Sequence, residues 1–193
     1  MKTLLCELRR SILLTALFTL VLCGLYPLAV WGGAHLLFAE KAEGSLLTDA
    51  QGKIRGSRLL GQAFANPQYF LPRPSAAGTG YDAANSSGTN LGPTSKALLD
   101  SIKSATVAYR EQNALPENAE VPADAVTSSA SGLDPHISIA NARIQALRIA
   151  RLRHLPIERV LALVERFTDQ RDLGILGEPG VNVLPLNLAL DAL

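Results

Sequence analysis

Side chains able to support acid–base or metal chemistry are few and scattered. The histidines are His35, His136 and His154. A metal site needs two or more His, Asp, Glu or Cys ligands that converge, and no such pair stands at helical or hairpin spacing. Only His136 has a candidate nucleophile close by, because Ser128, Ser129 and Ser131 precede it. Ser131 and His136 could together form the core of a serine hydrolase. The run Ser129-Ala130-Ser131-Gly132, however, lacks the glycine two places before the serine that a nucleophile elbow requires. The competing reading is a turn in which serine hydroxyls bond backbone donors and Asp134 caps the next helix. That reading is the stronger. The stretch Gly88-Thr89-Asn90-Leu91-Gly92-Pro93-Thr94 has the glycines of a phosphate cradle but no Lys-Ser/Thr pair, and Pro93 removes a backbone donor. It is not a P-loop, so the chain cannot hydrolyse a nucleotide unaided.

The remaining unusual cluster is cationic. Arg143, Arg148, Arg151 and Arg153 occur with no acidic residue between Ile137 and Pro156. They form either a solvated helix face or a surface that docks on an acidic partner or on anionic lipid headgroups. Docking gains weight in a chain with no chemistry of its own.

The elements that position these residues begin with an apolar run. From Ile12 to Phe38 there is no Asp, Glu, Lys or Arg. As a helix the run would be about 40 Å long, against a hydrocarbon slab of about 30 Å, so it can span with tilt. Lys2, Arg9 and Arg10 precede it, and the next basic residue is Lys41. This asymmetry keeps the N-terminus cytoplasmic and exports the chain beyond the span. Tyr26 and Trp31 suit an outer aromatic belt. A cleaved signal peptide would use a shorter apolar core of roughly 7–15 residues and a small-x-small site. A lipoprotein would use Cys23, but Leu22 stands before it where a small residue belongs. Pro27 predicts a kink or a local break. The expected organisation is a cytoplasmic arm over 1–11, a transmembrane helix over 12–38 and a periplasmic domain over 39–193.

Lys2, Arg9 and Arg10 take three of the 18 basic residues and Glu7 one of the 17 acidic ones, leaving residues 39–193 with 15 and 16, a net −1. That balance excludes a nucleic-acid binder, which needs a clustered positive surface. Cys6 and Cys23 are the only cysteines, so the domain has no disulfide and rests on its core. Ser45–Thr48 and Ile54–Leu60 flank Asp49-Ala50-Gln51-Gly52-Lys53 and predict a hairpin. Phe64, Tyr69 and Phe70 make an aromatic cluster. Leu71 to Pro93 reads as a long loop, of the kind that is functional or clamped by a partner. A helix is expected from Pro93-Thr94 to about Asn113, with Leu98, Ile102, Ala105 and Tyr109 on its buried face. Leu115 to Pro135 is irregular. A second helix covers Ser138 to His154, and a third opens at Pro156 as a first-turn residue. The tail from Leu173 to Leu190 should form short strands and a turn of helix. The fold class is α+β: one N-terminal transmembrane helix, then a single mixed α/β extracytoplasmic domain with long loops.

Taken in order, these stretches resemble the C subunit of the Kdp-type potassium-transporting ATPase. The motifs are Gly56-Ser57 with Gly61-Gln62, Pro67-Gln68-Tyr69-Phe70 with Arg73-Pro74-Ser75-Ala76, and Asn90-Leu91-Gly92-Pro93-Thr94. They continue with Ser129 to Ser138, Leu173-Gly174-Ile175-Leu176-Gly177-Glu178-Pro179, and Val181 to Asp191. The resemblance covers essentially the whole chain. It implies an accessory and assembly subunit in a bacterial inner-membrane potassium-uptake complex. Its partners would be a channel-like potassium-binding subunit, a P-type ATPase subunit and a small single-span subunit, together with membrane lipid. It implies no catalytic residue and no cofactor of its own, with ATP entering only through the ATPase subunit. The family is also described as a catalytic chaperone that raises ATP affinity, and Gln145 matches a glutamine linked to nucleotide contact. Orientation from Lys2, Arg9 and Arg10 instead puts Gln145 outside, away from ATP, which favours the assembly role. Partner contact is expected at Arg143, Arg148, Arg151 and Arg153, and within the motifs at Tyr69, Phe70, Arg73 and Asn90. Ser87-Gly88-Thr89 and Gly180 depart from the family pattern.

Overall fold

A computed structural model describes residues 2–49 and 51–193. Ala50, in the expected hairpin turn, and the side chain of Lys2, one of the orienting cations, lie outside the described residues. The chain divides into two compact units, Met1–Leu46 and Leu47–Leu193.

The first unit is helical. Helix α1 (Lys2–Thr19) runs into a π-helical turn (Leu20–Leu25) and then into α2 (Tyr26–Leu37). A single turn, α3 (Ala39–Ala42), comes next. Thr3–Leu37 is 35 residues long, with none of its apolar core buried within the chain, and is long and apolar enough to cross a membrane. The predicted disturbance at Pro27 takes the form of the π turn. A proline ring clashes with the carbonyl one turn back and offers no N–H to it. Widening the preceding turn relieves this, and the Tyr26 N–H donates to Val21 O, five residues back. The run ends at Phe38, whose backbone leaves helical geometry at φ −142°.

The second unit is mixed. A hairpin pairs β1 (Leu46–Thr48) with β2 (Ile54–Ser57). The Asp49 carboxylate accepts from the Gln51 and Lys53 amides at 3.0 and 2.9 Å, an Asx turn that directs the chain back. Helix α4 (Lys96–Asn113) starts later than expected, because the Ser95 hydroxyl, not Thr94, accepts from the first turn. A short helix, α5 (Ala123–Val126), interrupts the stretch expected to be irregular. Then come β3 (His136–Ile137), α6 (Ile139–Arg153), α7 (Ile157–Arg166), β4 (Thr168–Asp169), β5 (Gly180–Asn182) and α8 (Val183–Asp191). The three strands form an antiparallel sheet in the order β3-β5-β4, with His136 opposite Asn182 and Thr168 opposite Val181. Helices α6, α7 and α8 close over it around Phe70, Ile137, Ile149, Val160, Val181 and Leu186, all 2% exposed or less.

Two capping expectations are corrected. Ser138, not Asp134, caps α6 by accepting from the Asn141 amide at 3.1 Å. Asp134 instead accepts from the His136 amide at 2.9 Å, because a turn residue five places before the helix cannot reach its first N–H groups. Pro156 stands at the N-cap of α7 and not inside its first turn.

The loop from Leu71 to Pro93 has neither helix nor strand, yet it is tied to the rest of the chain by hydrogen bonds. The Tyr81 hydroxyl donates to Arg73 O at 2.6 Å, and the Ser75 hydroxyl donates to Gly132 O at 2.6 Å. The Ser87 amide donates to Ser131 O at 3.0 Å. Gly132 (φ +66°) permits this approach, since a Cβ there would lie 2.5 Å from Ser87 O.

Candidate functional site

The polar face of α6 is built at intervals of four and three. Asn141, Gln145 and Arg148 therefore share one side of the helix, and they are 1%, 1% and 4% exposed. Buried polar groups must find partners, and these do so through a continuous network. The Asp124 carboxylate on α5 accepts from the Ser138 amide, the Ser138 hydroxyl and Asn141 Nδ2 at 2.8, 2.8 and 2.9 Å. Asn141 Oδ1 accepts from the Tyr109 hydroxyl of α4 at 2.8 Å and from Gln145 Nε2 at 2.9 Å. Burial pushes the Tyr109 hydroxyl above its ordinary range.

Gln145 then clamps the backbone of Leu71. Its Oε1 accepts from the Leu71 amide at 2.7 Å, and its Nε2 donates to Leu71 O at 3.0 Å. From α8, Asn187 does the same for Phe70, with both bonds at 2.9 Å. Arg148 donates to Tyr69 O at 2.7 Å and to Gln145 Oε1 at 3.0 Å, and reaches Asn113 Oδ1 at 3.2 Å. The extended segment Tyr69–Leu71 thus runs between two helices with its peptide groups held by side-chain amides instead of a neighbouring strand. Arg148 has no carboxylate in this set, and desolvation pushes its guanidinium below the ordinary range. Within this network only Arg148 Nε is buried without a hydrogen-bond partner. The network holds a segment in place and has no group left to react.

These facts correct several of the expected contacts. Arg148 turns into the protein and is not on the surface, because backbone and amide oxygens, invisible to a count of acidic residues, supply its partners. Phe70 is 0% exposed and belongs to the core. Gln145 uses both amide hydrogens and both oxygen lone pairs inside the chain, leaving none for a nucleotide in this conformation. Arg153 is taken up by Gln68 O, Leu190 O and Asp191, at 3.0, 3.2 and 2.7 Å, and lies 4.8 Å over the Tyr69 ring. The Tyr69 hydroxyl also donates to Asp191, at 2.9 Å. Arg73 pairs with Asp134 at 2.9 Å. Arg143, Arg151 and Asn90 remain at the surface. In the first unit, Arg10 pairs with Glu7 at 2.8 Å, Arg9 is exposed, and Trp31 packs on His35 with ring centroids 4.5 Å apart.

Ser131 and His136 are not joined. The Ser131 hydroxyl accepts from the Leu133 amide at 3.1 Å and lies 3.3 Å from the Ser129 hydroxyl. His136 Nε2 bonds Asp169 at 2.8 Å across the sheet, and its Nδ1 lies 3.7 Å from Asp134. Hydrogen bonding to Asp134 and then Asp169 raises the imidazole above 6.5, against the opposing effect of burial. Burial alone would raise the Asp134 carboxyl, but His136 and Arg73 outweigh it and hold that carboxyl below 3.8. No cluster of three or more His, Cys, Asp or Glu suited to a metal occurs among the described residues. Sequence reasoning missed Asn113, Asp124, Asp169 and Asn187. Asn187 carried a signal: an amide inside the apolar run Leu184 to Leu190 must be bonded to something.

The family described as "KdpC: K+-transporting ATPase, c chain" matches residues 8–192. Among similar proteins is the "Potassium-transporting ATPase KdpC subunit" of Rhodospirillum rubrum, 54% identical over 185 residues, which are 95% of this chain and 94% of that one. The protein of the same name from Caulobacter vibrioides is 51% identical over 189 residues, covering 98% and 94%. That from Mycobacterium tuberculosis is 50% identical over 187 residues, covering 97% and 98%.

Proposed function

This chain belongs to the family of the K+-transporting ATPase c chain, and from that premise we propose that it is a non-catalytic accessory subunit that stabilises a potassium-uptake complex. It is held in the inner membrane by the apolar helix, with residues 39–193 on the periplasmic side. Its partners are the potassium-binding channel-like subunit, the P-type ATPase subunit and the small single-span subunit. The observation that carries this reading is the fate of the reactive side chains. Gln145, Ser131 and His136 are all spent on bonds that hold the chain's own backbone and sheet together. What is left for function is surface and anchor. Any effect on ATP use is then exerted through the assembly and not by a nucleotide held at Gln145.

Co-purification tests this. The tagged chain should bring down the potassium-binding subunit from mild detergent, and deletion of Ser11 to Phe38 should abolish recovery. A pump that purifies intact without the chain would overturn the reading.

A further inference from the structure

The π turn ahead of Pro27 leaves a backbone acceptor with no donor in its own helix. In an α-helix the Leu22 carbonyl would accept from the Tyr26 N–H, but that N–H donates to Val21 O. In a π-helix it would accept from residue 27, and proline has no N–H. The helix's own side chains do not replace these donors. Thr15 and Thr19 lean toward the helix start, away from the Leu22 carbonyl, and the Tyr26 hydroxyl sits at the far end of a rigid ring. Leu22 stands three residues, about 4.5 Å, from Leu25 at the centre of the uncharged run from Ile12 to Phe38. Gly24 beside it has no side chain, and a Cβ there would meet only Leu20 Cδ1, at 3.9 Å. A neighbour can therefore come close to this stretch of backbone.

We propose that the Leu22 carbonyl is the acceptor for a hydroxyl or carboxamide side chain on a membrane-spanning helix of another subunit. The proposal rests on the accessory-subunit reading above, with its membrane span. Depth selects the occupant. At the centre of a bilayer an unpaired carbonyl is costly, and acyl chains carry no donor. A lone water needs two or more polar partners, and one carbonyl does not hold it there. A second copy of the chain, kept level by two-fold symmetry, offers the weakly donating Cys23 thiol at this depth. Its nearest hydroxyls, on Thr19 and Tyr26, belong to residues about 4.5 and 6 Å away along the axis. A Ser, Thr, Asn or Gln of a different helix meets the need, and such side chains bond across helices in membranes.

The test uses the full chain with all subunits in the membrane. Tyr26→Thr introduces a hydroxyl that bonds back to the carbonyl four residues earlier, and Tyr26→Val has the same shape without it. Recovery of the threonine variant in the detergent-purified complex should be about a third of that of the valine variant, or less. In parallel, a photo-crosslinking amino acid is placed at position 25 of the otherwise unaltered chain, where the side chain leans back over the Leu22 carbonyl. It should form an adduct with a helix of another subunit, within one turn of a Ser, Thr, Asn or Gln, a readout independent of how the variants fold. An adduct with lipid, with a second copy or with a stretch lacking such a donor overturns the proposal. Equal recovery of the two variants also overturns it, while leaving the accessory-subunit reading in place. Failure of the unaltered chain to co-purify removes that reading and the proposal with it.

Discussion

Gln145 shows how much one amide can hold. All four of its hydrogen-bonding positions are filled, two by the peptide of Leu71 and the others by Asn141 and Arg148. Gln145→Leu keeps the volume but leaves the Leu71 N–H and C=O buried without partners, at a cost of about 2–4 kcal/mol. Chemical denaturation of the solubilised chain should show that loss with no other subunit present. An unchanged midpoint would mean that the residue serves a ligand and not the fold. At this scale the sequence was partly legible. Spacing put Asn141, Gln145 and Arg148 on one face, but helix geometry alone does not say whether a face looks outward. An arginine satisfied by carbonyls has the same sequence signature as one left in water.

Among the elements, helices α4, α6 and α7 were legible to within a few residues, because their ends carry serine or proline signals, whereas α5 was not foreseen and α8 only as a turn. Of the second sheet, β5 fell within the short strands expected in the tail, while β3 and β4 were not foreseen. These strands are two or three residues long, and the pairing of His136 with Asn182 joins residues far apart in the chain, which no local pattern encodes. That sheet carries a titratable latch, His136 between Asp134 of the turn before β3 and Asp169 of β4, with Arg73 and Arg58 paired to the same two carboxylates. The folded pKa of His136 is raised, so its stabilisation is complete below 6.5 and is lost as pH rises through the raised value. That of Asp134 is lowered, so its share is complete above 3.8 and is lost as pH falls through the lowered value. The thermal midpoint should therefore decline on the alkaline side, and His136→Gln should flatten that decline. A midpoint with the same slope in both proteins would show that the latch does not contribute.

For the whole molecule, the order of motifs said more than any one of them, since a long series of short matches at fixed spacing is hard to meet by chance. The α+β class and the apolar helix were read directly from composition and periodicity. The tethering of the loop from Leu71 to Pro93 was not, because its bonds run to Gly132, Asp134 and Gln145, far along the chain. The proposed orientation rests on Lys2, Arg9 and Arg10 set against a near-neutral remainder of the chain. A tag after Leu193 should accordingly be cut by protease added to intact spheroplasts, while a tag before Met1 survives. The reverse pattern would invert the topology and place Gln145 beside ATP.

The π turn at Leu20–Leu25 has a further consequence, for azimuth. Each residue advances a helix by about 100°, so one extra residue accommodated ahead of Pro27 swings every later side chain by that amount. Leu13 and Leu17 on one side, and Trp31 and His35 on the other, do not continue a single stripe along the rod. The two halves of the apolar helix therefore present different sectors to their surroundings.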